Sequence, residues 1–207
     1  MRDRHDQNRT GPDFNRRDFL KGSAAAATAT AIATQGPDTA SAANLKANVF
    51  AATATKVTLS VNGKTHNVEV EPRVTLLHVL RNILNLTGCK EVDERSADGA
   101  DTVMIDGKAV LAGSRLAIEC EGKQIRTVES LRQGAEVDEV VAGFVQHDAM
   151  QCGFCTPGFV IATRVFLNQN PKASLADIRK GLGGNICRCG TYQGITMCAL
   201  DISKGGK

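Results

Sequence analysis

The sequence predicts an α+β chain in which a small mixed domain, residues 56–133, is followed by an all-α domain of four helices, residues 134–207. Two observations carry this. Apolar residues alternate with polar ones up to Val128, punctuated by Asn62-Gly63, Asp106-Gly107 and Glu121-Gly122; after Gln133-Gly134 the period becomes helical. Four of the 7 cysteines stand in two close pairs, Cys152/Cys155 and Cys187/Cys189, each just before a helical pattern.

Residues 44–55 are Ala/Thr-rich and read as a linker. Lys56–Ser60 and His66–Glu71 are strands, and Asn-Gly between them suits the positive φ angles of a type I′ turn. Pro72 ends the second strand. Leu76, Val79, Leu80 and Ile83 share one face of a helix over Val74–Leu86, followed by a polar loop, residues 87–101. Thr102–Ile105 and Ala109–Leu111 form a second hairpin, and Leu116–Cys120 and Gln124–Val128 read as short strands. The first helix of the second half spans Val137–His147, with Val137, Val140, Val141 and Phe144 on one face. Thr156-Pro157 offers an N-cap and first-turn proline for a helix through Leu167. Ser174 with Asp177 forms a capping box for Leu175–Leu182, and Thr191–Ile202 is the last helix.

Composition narrows the function. With 25 Lys+Arg against 22 Asp+Glu the net charge is +3, and 7 Phe, 1 Tyr and no Trp leave few rings to stack bases, so nucleic acid is not an expected partner. No apolar run reaches the length of a membrane span, about 18 residues. An odd number of cysteines cannot all pair within the chain. Neither a Ser/His/Asp set, a phosphate loop nor a dinucleotide fingerprint occurs, so no substrate chemistry is expected in this chain itself.

At the N-terminus, Asn15-Arg16-Arg17-Asp18-Phe19-Leu20-Lys21 precedes a mild Ala/Thr run, Ser23–Thr34. Residues 1–43 resemble a twin-arginine signal peptide, with Ala40-Ser41-Ala42 as cleavage site and the periplasm as destination. The plainer alternative is a disordered basic tail.

The cysteine frame is C-x2-C, 31 residues, then C-x-C. A [2Fe–2S] cluster takes four soft thiolates, and helix N-termini direct amide N–H groups at anionic sulfur. Structural zinc is one alternative, although its ligand pairs usually have two to four residues between them. A disulfide framework is the other, given an exported chain.

The string Gln151-Cys152-Gly153-Phe154-Cys155-Thr156-Pro157-Gly158, the string Gly184-Asn185-Ile186-Cys187-Arg188-Cys189-Gly190-Thr191-Tyr192, and Leu86-Thr87-Gly88-Cys89-Lys90-Glu91 upstream resemble the small iron–sulfur subunit of the xanthine oxidase family, the molybdenum hydroxylases. The resemblance implies a plant-ferredoxin-like (β-grasp) domain and a helical domain, each with one [2Fe–2S] cluster. It implies a large subunit carrying a molybdenum–pterin cofactor, and electron flow from there through both clusters to FAD or haem on a flavin or cytochrome subunit. By the same resemblance Cys152, Cys155, Cys187 and Cys189 hold the helical-domain cluster, and Gln151 and Cys189 lie against the pterin.

One departure stands out. Where the family has the four cysteines of its ferredoxin-domain cluster, this sequence has Asp93, Asp98, Asp101 and Gly113, in a register fixed by Gly99-Ala100, Thr102-Val103 and Asp106-Gly107-Lys108. The expectation is one cluster, with the second lost. Two alternatives remain open: a hard cation on Asp93, Asp98 and Asp101, or an unconventional cluster using Cys89. Glu91, Asp93, Glu94, Asp98 and Asp101 make the loop acidic; it reads either as an ordinary solvated loop or as one that repels acidic donors and attracts a basic partner. Cys89, Cys120 and Cys198 read as small buried residues, a Cys89–Cys120 disulfide being the alternative. His147 reads as a helix-end residue, His66 and His78 as surface residues, and Arg188 as a charge beside the sulfurs. The leading function is therefore electron transfer within a molybdenum hydroxylase. The rivals are a non-redox docking or assembly subunit and a zinc-binding interaction module.

Overall fold

The computed structural model describes residues 50–93 and 95–205. The predicted signal peptide and its cleavage site lie outside them.

Strands β1 (Thr55–Val61) and β2 (Lys64–Val70) pair antiparallel from Thr55↔Val70 to Val61↔Lys64. Asn62 and Gly63 close the turn at φ 53° and 75°, as the Asn-Gly signal predicts. The period of two sends Val57, Leu59, Val61, Val68 and Val70 to one buried face. Helix α1 (Leu76–His78) starts on a Thr75 cap whose hydroxyl accepts from the His78 amide. It continues as a wider turn over Val79–Ile83, where the Leu84 amide donates to the Val79 carbonyl. The helical stretch is therefore shorter than predicted: Asn85 at φ 55° turns the chain before Leu86.

Strands β3 (Thr102–Ile105), β4 (Lys108–Leu111) and β5 (Gln124–Arg126) complete a five-stranded sheet of order β2-β1-β5-β3-β4. Only β1 and β5 run parallel; the other pairs are antiparallel. The expected strand at Leu116–Cys120 is instead a 3₁₀ turn over Ala117–Cys120. Its reason is local: the Glu119 carboxylate accepts from the Leu116 amide and closes the chain on itself. The Gln124–Val128 strand also ends early. Asn62 reaches across from the hairpin to accept from the Thr127 amide (2.8 Å) and donate to its hydroxyl (2.9 Å), and Val128–Leu131 then coils.

The expected boundary at 133/134 falls inside a small antiparallel ladder, β6 (Arg132–Gln133) with β7 (Glu136–Val137). Val137 belongs to that ladder and is exposed, so it is not part of the predicted helix face. Asp138 caps α2 (Glu139–Gln146) by accepting from the Val140 amide. Then come α3 (Thr156–Gln169), α4 (Leu175–Gly181) and α5 (Tyr192–Ser203). Ser174 and Asp177 form the predicted capping box. The cap of α3 is Cys155 rather than Thr156, which lies inside the first turn beside Pro157.

Two apolar clusters result. One joins the sheet face to Leu76, Leu77, Val79 and Leu80; the other joins the helices around Phe144, Phe159, Ile161, Ile178 and Ile195. Strand β3 serves both: Val103 and Ile105 enter the first, and Met104 enters the second. Helices α2 and α5 meet closely, since a Cβ on Gly143 would come within 2.6 Å of Cys198 Sγ. No helix among the described residues is long and apolar enough to cross a membrane.

Candidate metal centre

Two chain arms converge on one site. In the first, α2 ends at Gln146, Asp148 turns the chain at φ 48°, and residues 150–155 lead into α3. In the second, α4 ends at Gly181 and residues 182–191 lead into α5. Gly153 and Gly190, at φ 80° and 81°, make the turns that aim amides back at sulfur. No neighbour lies within 4 Å of a Cβ built on either, so their requirement is conformational rather than steric.

The four thiols stand near enough to shift one another's ionisation, Cys152 paired with Cys189 and Cys155 with Cys187. The Cys155/Cys187 pair is the more enclosed; Cys152 and Cys189 are exposed. Burial opposes ionisation of Cys187, yet hydrogen bonds from the Thr191 hydroxyl and amide, the Cys155 thiol and the Gly190 amide bring it down to about 7. The Thr191 Oγ1 lies 3.2 Å from Cys187 Sγ. Burial and the bond to Cys187 push Cys155 up to about 12. Cys152 is lowered by the Phe154 amide and then by the Cys189 thiol. For Cys189 the bond from the Cys152 amide lowers the value, but donation to the Cys152 sulfur, burial and the neighbouring sulfurs together raise it. The Cys187 amide donates to the Tyr192 hydroxyl at 2.8 Å, and the Tyr192 ring meets Phe159 edge-on.

Among the described residues no three His, Cys, Asp or Glu side chains gather so as to hold one metal ion. Four cysteine sulfurs, two from each arm, match the demand of a two-iron cluster for two thiolates per iron.

The other predicted residues divide as follows. Gln151 and Arg188 are exposed on the two arms. His147 is held by Asp201, Nε2 to Oδ2 3.3 Å, at the end of α2. Cys89, Cys120 and Cys198 are buried and unpaired, so the Cys89–Cys120 disulfide does not form here. Burial pushes Cys89 up to about 12, assisted by Glu129 and Asp101, and Cys198 up to about 11.

At the departing positions the aspartates accept from nearby backbone amides, Asp93 and Asp98 within their own loop and Asp101 from Gly113. Asp93 accepts from the Arg95 and Ala97 amides, and Asp98 from the Ala100 amide. Asp101, 2% exposed, accepts from the Gly113 amide at 2.6 Å and from the Ser96 hydroxyl, while its Oδ1 is buried without a partner. Ser96, itself buried at φ 54°, fills the space beside Gly113, where a Cβ would collide with its hydroxyl. Carboxylates spent on separate backbone turns do not form the hard-cation site left open by the sequence, and no three acidic groups converge among the described residues.

Sequence reasoning missed Thr191 and Asn185. The signal for Thr191 was its place one residue past the turn glycine at a helix start. Asn185 carried none, because its partners, Gly99 and Thr102, are 86 and 83 residues away.

Comparison with known proteins locates these features. Residues 127–199 match the [2Fe-2S] binding domain family, and residues 13–33 match the twin-arginine translocation pathway signal sequence. The chain is 40% identical over 146 residues to the nicotine 6-hydroxylase small subunit of Paenarthrobacter nicotinovorans, covering 70% of this chain and 88% of that one. It is 35% identical over 207 residues to the aldehyde oxidoreductase iron-sulfur-binding subunit of Escherichia coli strain K12, covering 93% and 89%. The crystal structure of quinoline 2-oxidoreductase from Pseudomonas putida 86 contains a chain that superposes with a TM-score of 0.70 at 37% identity, covering 72% of this chain and 93% of that one.

Proposed function

This chain belongs to the iron–sulfur subunits of the xanthine/aldehyde oxidoreductase family of molybdenum hydroxylases, and from that membership we propose that it is a single-cluster electron-transfer subunit. Cys152 and Cys189 would hold one iron of a [2Fe–2S] cluster, and Cys155 and Cys187 the other. When bound, the cluster stores one electron. The chain's own contribution is to fix the four sulfurs on two helix starts, to direct the Phe154, Gly190 and Thr191 amides at them, and to bury the Cys155/Cys187 side. The carrying observation is that the two arms bring Cys152 beside Cys189 and Cys155 beside Cys187, close enough to shift one another's ionisation.

The large subunit with the molybdenum–pterin cofactor would seat against Gln151 and the exposed Cys189. Exposed Met150, Tyr192 and Met197 offer apolar contact there. Export by the twin-arginine route carries folded, cofactor-loaded protein and would deliver the complex to the periplasm. A flavin or cytochrome partner would accept the electrons.

Iron and acid-labile sulfide analysis tests the reading: about two of each per chain are expected. About four of each, with two distinct reduced-cluster EPR signals, would overturn it, as would a colourless protein containing zinc. Cys187→Ser is expected to lose the visible absorption; full retention would remove Cys187 from the ligand set.

A second reading, a non-redox docking or assembly subunit, is favoured by the lack of cysteine at 93, 98, 101 and 113. Turnover of an aldehyde or purine by the complex separates the two, since it bleaches the cluster only under the first.

A further inference from the structure

We propose that the backbone at Gly99 is a positioning element for the bound cluster: it stands between the two thiol arms and sets how far the Cys155 side lies from the Cys187 side. The inference deepens the single-cluster reading and rests on it.

The Cys187 arm reaches Gly99 from one side. Asn185, buried two residues before Cys187, donates its side-chain amide to the Gly99 carbonyl at 2.8 Å. The Ile186 amide donates to the Asp98 carbonyl at 2.8 Å. A Cβ on Gly99 would come within 2.7 Å of Asn185 Nδ2 and 2.9 Å of the Gly184 carbonyl oxygen, so the arm lies directly on the glycine. The Cys155 arm reaches it from another side. Gly158 is buried in the first turn of α3, three residues after Cys155, and the Phe159 amide donates to the Cys155 carbonyl at 3.1 Å. A Cβ on Gly158 would collide with the Gly99 carbonyl oxygen and come within 3.0 Å of Ala100 Cα. One carbonyl thus meets both arms, close in sequence to a thiol on each.

The sheet holds this seat in place. Thr102, the first residue of β3, donates its amide (3.2 Å) and its hydroxyl (2.6 Å) to the same carbonyl. The Lys90 amide donates to the Ala100 carbonyl at 3.1 Å, and the Ala100 amide to the Asp98 carboxylate at 2.7 Å. Backbone tied to a sheet gives way less than a side chain, so the arm that is pushed must take the shift.

The mixed domain thereby takes part in electron transfer without a metal of its own. Each iron would draw one sulfur from each arm, so arm spacing governs cluster geometry and the access of water to its inner side. Both act on the reduction potential. Water on the inner side favours the reduced cluster, which carries one more negative charge, and so raises the potential.

The test uses the full chain in its complex with the large subunit. Gly158→Ala pushes α3 off the Gly99 carbonyl. Gly143→Ala is the control, since it overpacks α2 against Cys198 of α5 rather than against Gly99. In an EPR-monitored redox titration Gly158→Ala is expected to favour the reduced cluster by about three- to tenfold, an upward shift of roughly 30–60 mV at 59 mV per tenfold step. It should also lose iron to bathophenanthroline roughly tenfold faster. Gly143→Ala should match wild type in both readouts, even where its melting temperature falls. Asp98→Ala removes the acceptor of the Ala100 amide and slackens the seat without adding bulk, so it serves if Gly158→Ala does not fold. It should move both readouts in the same direction, and Asp98→Asn, which keeps an accepting oxygen, should restore them. Unmoved potential and iron loss in Gly158→Ala and Asp98→Ala, or equal shifts in Gly143→Ala, would overturn the proposal. An iron-free wild-type complex would overturn the single-cluster reading and the seat together; a loaded wild type with unmoved variants overturns the seat alone.

Discussion

Asn185 Nδ2 donates to the Gly99 carbonyl at 2.8 Å and lies 3.1 Å from Thr102 Oγ1, tying the arm that carries Cys187 to the start of β3. Asn185 is buried, and Gly99 stands at φ 76° with no room for a Cβ against it. The expected effect of Asn185→Ala is a loss of about 1–3 kcal/mol, because polar groups in a buried site lose a partner. Chemical denaturation of the purified protein measures this. A loss within about 0.5 kcal/mol would mean that water replaces the amide.

Gly113 is held by packing. Its amide is bonded to Asp101, and a side chain would enter the volume of the Ser96 hydroxyl. Gly113→Ala is expected to cost about 1–3 kcal/mol by overpacking. Adding Ser96→Gly should recover part of that cost, since it removes the clashing hydroxyl and suits the positive φ at 96. Thermal melts of the single and double variants check both signs.

Asp101 makes stability depend on pH. Burial raises its carboxyl above the ordinary 3.8, against the lowering by the Gly113 amide and the Ser96 hydroxyl. The folded state therefore holds the proton more tightly than the unfolded state. That contribution is fully present below pH 3.8 and is lost as pH rises through the raised folded value. Asp101→Asn is expected to flatten this part of the profile, so the melting temperature of wild type should decline relative to the variant as pH increases from about 4 to 7. Parallel profiles would refute it.

The parts of the molecule written in local chemistry were legible in the sequence. Asn62-Gly63 marked the hairpin, Ser174 and Asp177 marked a cap, and the cysteine spacing marked which thiols come together. The failures came where distant or competing partners decide. Leu116–Cys120 has a strand-like start, but the Glu119 carboxylate folds it into a turn. Val137 fits a helical face by period, yet pairs with Arg132 before Asp138 caps the helix. Thr156 is a good cap by residue type, but Cys155 takes that place because the turn at Gly153 sets where α3 begins. Asp93, Asp98 and Asp101 left a cation as one alternative by residue type; in the fold they accept from the amides of Arg95, Ala97, Ala100 and Gly113.

Thr191 is expected to set the reduction potential of the bound cluster. Its hydroxyl is 3.2 Å from Cys187 Sγ, and its side chain stands at the start of α5. Reduction adds negative charge to the sulfurs, so a donor at this distance stabilises the reduced form more than the oxidised one. Thr191→Val keeps the shape and removes the hydroxyl, and should lower the potential. A differential loss of about 0.5–1.5 kcal/mol corresponds to roughly 20–60 mV, since 59 mV is one tenfold step in a one-electron couple. Thr191→Ser should restore most of it. An EPR-monitored redox titration reads the shift directly, and iron content confirms that each variant carries the same cluster load. An unchanged potential in Thr191→Val with full iron would mean that the Gly190 and Thr191 amides, which the substitution leaves in place, carry the tuning alone.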